Sequence, residues 1–173
     1  VVLIAFPDAD DVYGPLIWVL AALTMTVGNL LALRQTNIVR MLAYSSVSQG
    51  GFILMPLAFV GTDDVAGAAM KAVVVYLLVY AFTNLGAFAV VIAVARATRS
   101  GLISSFAGLI SYAPGLAVLM TIFLASLAGV PPLGGWIAKF NVFAAVLDAG
   151  TTAAYVLAVI GAAVGSLFSP LTD

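Results

Sequence analysis

Cysteine and histidine are both absent from the 173 residues, and only 8% of the chain is charged. Without those two side chains there is no disulfide, no thiolate-held iron–sulfur cluster, no haem ligation through them and none of the common zinc sites. Ser-His-Asp and Cys-His nucleophilic arrangements are excluded as well. No Gly-rich phosphate loop follows a strand, and no basic cluster points to nucleic acid. Strand patterning is missing throughout. If the chain takes part in a redox reaction, another chain carries the electrons.

What the sequence has is apolar length. It is 64% hydrophobic with a mean hydropathy of +1.23, and no soluble domain of this size hides that much apolar surface. This composition is that of an integral membrane protein. Runs of apolar residues fall at 14–33, 38–60, 65–95, 112–129 and 152–168, with a shorter piece at 135–147. The fold expected is all-α, a polytopic transmembrane helix bundle forming one membrane domain over residues 1–173. The chain opens at Val1 without methionine or a basic leader, so VVLIAF reads as the end of a helix already in progress and the chain as an internal piece of a longer protein.

The few charges sort by loop. Asp8, Asp10 and Asp11 precede the first full run, and Asp63 and Asp64 follow the second. Arg34 and Arg40 lie between the first and second runs, Arg96 and Arg99 after the third. The positive-inside rule assigns all four arginines to the cytoplasm, with the aspartates outside.

Lys139 stands apart as a lone cation in LASLAGVPPLGGWIAKFNVFAAVL. A charge at bilayer depth costs about 2.5–3.5 kcal/mol or more and by default marks function. The piece 135–147 is about 20 Å long as a helix, too short to span. It reads as the second half of one discontinuous helix broken at Gly129, Pro131, Pro132, Gly134 and Gly135, which delivers Asp148 to the outer face. Irregular backbone at that depth persists only where protein or cavity water satisfies it. The plain alternative is an ordinary interhelical turn over 130–135, since Pro-Pro and Gly-Gly pairs also punctuate turns. In the broken-helix reading, carbonyls freed near Ala128 carry partial negative charge beside the Lys139 ammonium. Desolvation opposes that attraction, and the balance makes Lys139 a group able to take up and release a proton.

Two polar stripes accompany it. Ser45, Ser48 and Gln49 share one face of the second helix, and Tyr76, Tyr80, Thr83 and Asn84 share one face of the third. Such stripes hold water and relay protons, or they bond helix to helix and pack closely; both readings stand. Lys71 lies about 140° around the helix from Tyr76 and about 180° from Tyr80, off the stripe, and is expected to snorkel toward the outer headgroups.

Three segments, RQTNIVRMLAYSSVSQGGFILM, VVYLLVYAFTNLGAFAVV and FLASLAGVPPLGGWIAKF, resemble in sequence and order the antiporter-like membrane subunits of respiratory complex I. Tyr76, Tyr80 and Asn84, with no histidine anywhere, resemble the N-type branch of that family. The L, M and Mrp-type branches carry histidines and a lysine in that helix. The resemblance implies two inverted five-helix repeats, each with a broken helix and a central buried lysine. Residues 14–168 correspond to the second repeat and residues 1–6 to the tail of the first. It implies proton translocation through Lys139, with Ser45, Ser48, Gln49, Tyr76, Tyr80 and Asn84 as a supporting polar path. The lipid bilayer and the other membrane subunits of complex I are the implied partners, in a bacterial inner membrane. NADH, FMN, iron–sulfur clusters and quinone are implied for partner subunits and no cofactor for this chain, so oxidoreductase activity would be the assembly's. Three differences from the family stand out: Val39 replaces the lysine usual before Arg40, the first repeat with its glutamate–lysine pair is not present, and the tail at residues 169–173 does not resemble the family's continuation. Rival readings are a cation/proton antiporter or membrane-bound hydrogenase subunit on the same scaffold, or a non-transporting structural fragment.

Overall fold

In lipid a backbone polar group finds its partner only within the protein, so apolar runs of bilayer length become helices. The computed structural model describes residues 10–60 and 63–166. Residues 1–6, Asp8, and residues 167–173 lie outside the described residues, as do the side chains of Asp10, Asp63 and Asp64. The described elements are α1 (Asp10–Leu33), α2 (Ile38–Leu54), α3 (Asp63–Thr98), the single turn α4 (Leu109–Tyr112), α5 (Pro114–Ala128), α6 (Gly134–Leu147) and α7 (Thr152–Ser166). Short 3-10 turns occupy Pro56–Phe59 and Ile103–Phe106. No strand occurs among the described residues, and α1, the α2 region and α3 are each long and apolar enough to cross a membrane. The fold is an all-α membrane bundle.

The polar ends of two helices extend past the apolar runs, α1 from Asp10 and α3 to Thr98, and prolines reshape two other boundaries. The run 38–60 is not one α-helix, because Pro56 offers no N–H and the chain tightens from α2 into the 3-10 turn Pro56–Phe59. The run starting at 112 begins two residues late. Tyr112 closes α4, Ala113 leaves helical geometry (φ −145°, ψ 68°), and Pro114 opens α5. A residue before proline is pushed out of the α region, and proline is suited to the first helical turn.

The bundle has two distinguishable ends. At one, a single antiparallel bridge joins Asn37 to Leu102, with Ile38 N–H donating to the Gly101 carbonyl and Ile103 N–H to that of Thr36, both at 2.9 Å. This tie gathers the Arg34–Arg40 loop and the Arg96–Arg99 loop. At the other end Asp11, Phe59, Ala149 and Thr151 border one open recess of about 570 Å³. α5 leads away from the arginine end and α6 arrives at the opposite one.

Packing between the ends is layered. One apolar cluster at the arginine end holds Ile38, Leu42, Val90, Val91, Val94 and Met120. A second, toward the recess, holds Met25, Phe52, Met55, Val142, Val146 and Leu157. Between them along α2 come Ser45, Ser48 and Gln49, and along α3 Tyr80 and Thr83. A polar layer thus sits at mid-height between two dry cores. α1 and α2 press backbone to backbone beside it: a Cβ on Gly51 would lie 2.7 Å from the Met25 nitrogen and 2.9 Å from the Ala21 carbonyl oxygen.

Candidate functional site

The site is built at the gap between α5 and α6. α5 ends because Gly129 adopts the left-handed conformation (φ 89°) that glycine tolerates without penalty. Pro131 and Pro132, joined by a cis bond, have no N–H to continue the ladder, and α6 resumes at Gly134. The discontinuous helix is therefore present, with its gap at residues 129–133. At 1.5 Å per residue each half is only about 21–22 Å long, so neither crosses a bilayer alone.

A helix end leaves four carbonyls without partners, and here all four can be accounted for. The Ala125 oxygen accepts from the N–H groups of Gly129 (3.1 Å) and Val130 (3.0 Å), and the Ser126 oxygen accepts from Gly129 (3.0 Å). The Leu127 and Ala128 oxygens accept from Lys139 Nζ at 3.1 and 2.9 Å. The lysine reaches back across the gap and closes the end of the preceding half-helix. Among the described residues no carboxylate pairs with it; its counter-charge is carbonyl dipole alone. Nζ also stands 5.2 Å from the centre of the Phe52 ring, within cation–π range.

α2 and α3 complete the wall. The Leu127 oxygen has a second donor, Gln49 Nε2 at 3.2 Å, and the Gln49 Oε1 accepts a short hydrogen bond from the Tyr76 hydroxyl. Both Gln49 and Tyr76 are buried. A continuous chain of polar contacts therefore runs from the Tyr76 phenol through the Gln49 amide and the Leu127 carbonyl to the Lys139 ammonium. Tyr80, one turn along from Tyr76, interacts through its hydroxyl with Ser46 of α2. Between these groups lies a void of about 10 Å³ bordered by Gln49, Tyr76, Tyr80, Thr83, Ser126 and Lys139, close to the least space one water molecule needs.

The structure separates the residues of the two stripes. Gln49, Tyr76, Tyr80 and Lys139 meet. Ser48 instead donates to the Met25 carbonyl on α1 at 3.2 Å, an interhelical bond. Ser45 is buried off the void, and Asn84 is half-buried and does not border it, whereas its neighbour Thr83 does. Lys71 is exposed on α3, away from the site. Ser126 was not singled out from the sequence. It is buried, borders the void, and its Oγ accepts the Gly135 N–H at 3.0 Å. A serine inside an apolar helix carries no signal of its own; its place three residues before the break is the available hint.

Against known proteins, the family described as NADH:quinone oxidoreductase/Mrp antiporter, TM, matches residues 1–165. NADH-quinone oxidoreductase subunit N 2 of Solibacter usitatus is 45% identical over 158 residues, 91% of this chain and 31% of that protein. The chain thus spans about a third of the length of that relative. Among solved structures, it is similar to a chain of the membrane-bound sulfane sulfur reductase, an archaeal respiratory membrane complex. The TM-score is 0.78 at 26% identity over 91% of this chain and 31% of that one. It is also similar to a chain of respiratory complex I from Thermus thermophilus, with TM-score 0.67 and 30% identity over 89% of this chain and 34% of the other.

Proposed function

Because the chain belongs to the NADH:quinone oxidoreductase/Mrp antiporter transmembrane family, we propose that it is one half-channel of a proton-translocating subunit like subunit N of NADH–quinone oxidoreductase, with Lys139 as the relay. The observation that carries this reading is the ammonium seated on the Leu127 and Ala128 carbonyls at the helix break, with no carboxylate partner among the described residues. Such a cation is held firmly enough to exist in the bundle, yet not locked by an opposite charge. Losing its proton changes the charge of a polar layer enclosed by two apolar cores, where low dielectric strengthens every electrostatic effect. Tyr76 and Gln49 extend hydrogen bonding away from it, and the small void beside them is close to the least volume a bridging water needs.

On this reading residues 14–168 form the second of two inverted repeats, a layout that recurs in transporters with sites at broken helices. Arg34, Arg40, Arg96 and Arg99 face the cytoplasm of a bacterial inner membrane, and other membrane subunits cover the apolar faces that lipid does not. NADH, FMN, iron–sulfur clusters and quinone belong to partner subunits. A second reading, a subunit of another respiratory or antiporter complex on the same scaffold, draws on the likeness to the archaeal sulfane sulfur reductase. The 45% identity to a subunit N favours the first.

The test is proton transport by the full-length subunit in its assembled complex, measured in vesicles after normalising for assembly. Lys139→Ala should lower transport by about tenfold or more, in line with the loss of a proton-transfer group. Lys139→Arg should also be impaired, because a guanidinium stays protonated and cannot cycle. Lys71→Ala should leave transport near parental. Parental transport by Lys139→Ala would overturn the relay.

A further inference from the structure

α6 begins without a local cap: its N-cap position is Leu133, whose side chain offers no acceptor. The first N–H groups of a helix need an acceptor when they are shielded from water. One is supplied from the other half-helix, where Ser126 Oγ of α5 accepts the Gly135 N–H at 3.0 Å. The converse holds at the facing end, where Lys139 of α6 closes the carbonyls of Leu127 and Ala128 of α5. The two half-helices cap each other.

The two contacts share one register. Ser126 meets Gly135, and the next two residues of α5 meet Lys139, one helical turn beyond Gly135 on the same face. Gly135 sits so close that a Cβ there would collide with the Ser126 carbonyl, so the halves touch through backbone at this point. Ser126 is buried, so its hydroxyl is shielded from bulk solvent. Sliding α6 along α5 by even one residue would break the Ser126–Gly135 bond and carry Nζ about 1.5 Å off its carbonyls.

We infer that Ser126 is a positioning residue for Lys139: by capping α6 across the gap it fixes the height at which the ammonium meets the Leu127 and Ala128 carbonyls. The inference rests on the relay reading of Lys139 and assigns that relay a holder which borders the void but acts through the backbone of α6. It also sets Ser126 apart from several other hydroxyls of the bundle. Thr26, Ser46 and Thr121 return their hydroxyls to the carbonyl four residues earlier in their own helices, whereas Ser126 accepts from another element.

The experiment compares Ser126→Ala, Ser126→Thr, Lys139→Ala and the double variant Ser126→Ala/Lys139→Ala in the full-length assembled complex, with proton transport normalised to assembled subunit. Ser126→Ala should lower transport by about fivefold, the factor corresponding to one lost cap. Ser126→Thr, which keeps the oxygen, should restore most of it. The double variant should transport no worse than Lys139→Ala alone, because a residue acting only through Lys139 has nothing further to lose. Should Ser126→Ala not assemble, Ser126→Cys, similar in shape but a weak acceptor, takes its place in every comparison. Parental transport by the serine variant, or losses that multiply in the double variant, would overturn the inference while leaving the relay standing. Parental transport by Lys139→Ala would overturn both.

Discussion

Gln49 joins three groups through one amide: it accepts from Tyr76 and donates to the carbonyl that Lys139 also holds. Its sequence position suggested a lining residue of a water path; the geometry makes it a tie between α2, α3 and the end of α5. Removing one member of a buried pair strands the other, at about 1–3 kcal/mol, whereas removing both with apolar groups of similar shape is far milder. Gln49→Leu and Tyr76→Phe should each lower the melting temperature of the purified full-length subunit, and the double variant should lower it by clearly less than the sum. Strict additivity would mean the tie is not energetic. At this scale the sequence was legible where a signal was chemical and solitary. Lys139 is a lone charge in an apolar run, and the Pro-Pro and Gly-Gly pairs beside it admit few backbones. It was poorly legible where a signal was angular. Thr83 and Asn84 are neighbours on a helix turning about 100° per residue, and only the facing helix decides which borders a void. Ser126 gave no warning, since its partner lies across a gap where helical periodicity does not apply.

Elements were read well from hydrophobic length, because each membrane-length run had only a helix available to it. Two of the shifted boundaries lie next to prolines, where local geometry overrides hydropathy: Pro56 turns the end of α2 into a 3-10 turn, and Pro114 moves the start of α5. How closely two helices approach was beyond the sequence, although glycine marked the places. Gly50 and Gly51 are adjacent on α2, yet a Cβ on Gly51 meets the α1 backbone while one on Gly50 meets nothing within 4 Å. Gly51→Ala should therefore destabilise by about 1–3 kcal/mol through overpacking. Gly50→Ala should be neutral or stabilising by up to about 1 kcal/mol through helix propensity. Thermal unfolding of the two variants of the full-length subunit checks the pair, and equal effects would contradict the close contact.

At the scale of the whole molecule, the arginine loops are tied at one end and Asp148, exposed at the end of α6, lies toward the other. Charge placement in the sequence suggested this sorting, and the helix order carries it out: α5 and α6 together make one crossing, with Ser126 beside Gly135 so that the halves overlap. The chain brings no cysteine of its own, which makes labelling direct. In a cysteine-free full-length background, Arg96→Cys should react with an impermeant thiol reagent only from the cytoplasmic side and Asp148→Cys only from the other. Reaction of both from one side would refute the orientation. The large apolar faces left exposed, with Leu78, Phe82 and Leu85 on α3 and the stacked Trp136 and Phe140 on α6, are what a chain embedded in lipid or among other membrane subunits presents. Soluble monomers rarely show patches of that extent.

One local feature has a consequence for entropy. The backbone of Gly129 runs along the Lys139 side chain: a Cβ on Gly129 would lie 3.0 Å from Cδ and 3.3 Å from Nζ, and the Phe52 ring lies within cation–π range of the same nitrogen. A free lysine explores many rotamers, worth about 2 kcal/mol of disorder at room temperature. Here that disorder is surrendered once, when the bundle folds, and on the proposed relay reading it is not surrendered again each time a proton arrives. A side chain already confined to one course needs no search before it reacts, and the glycine that ends one half-helix is part of what confines it.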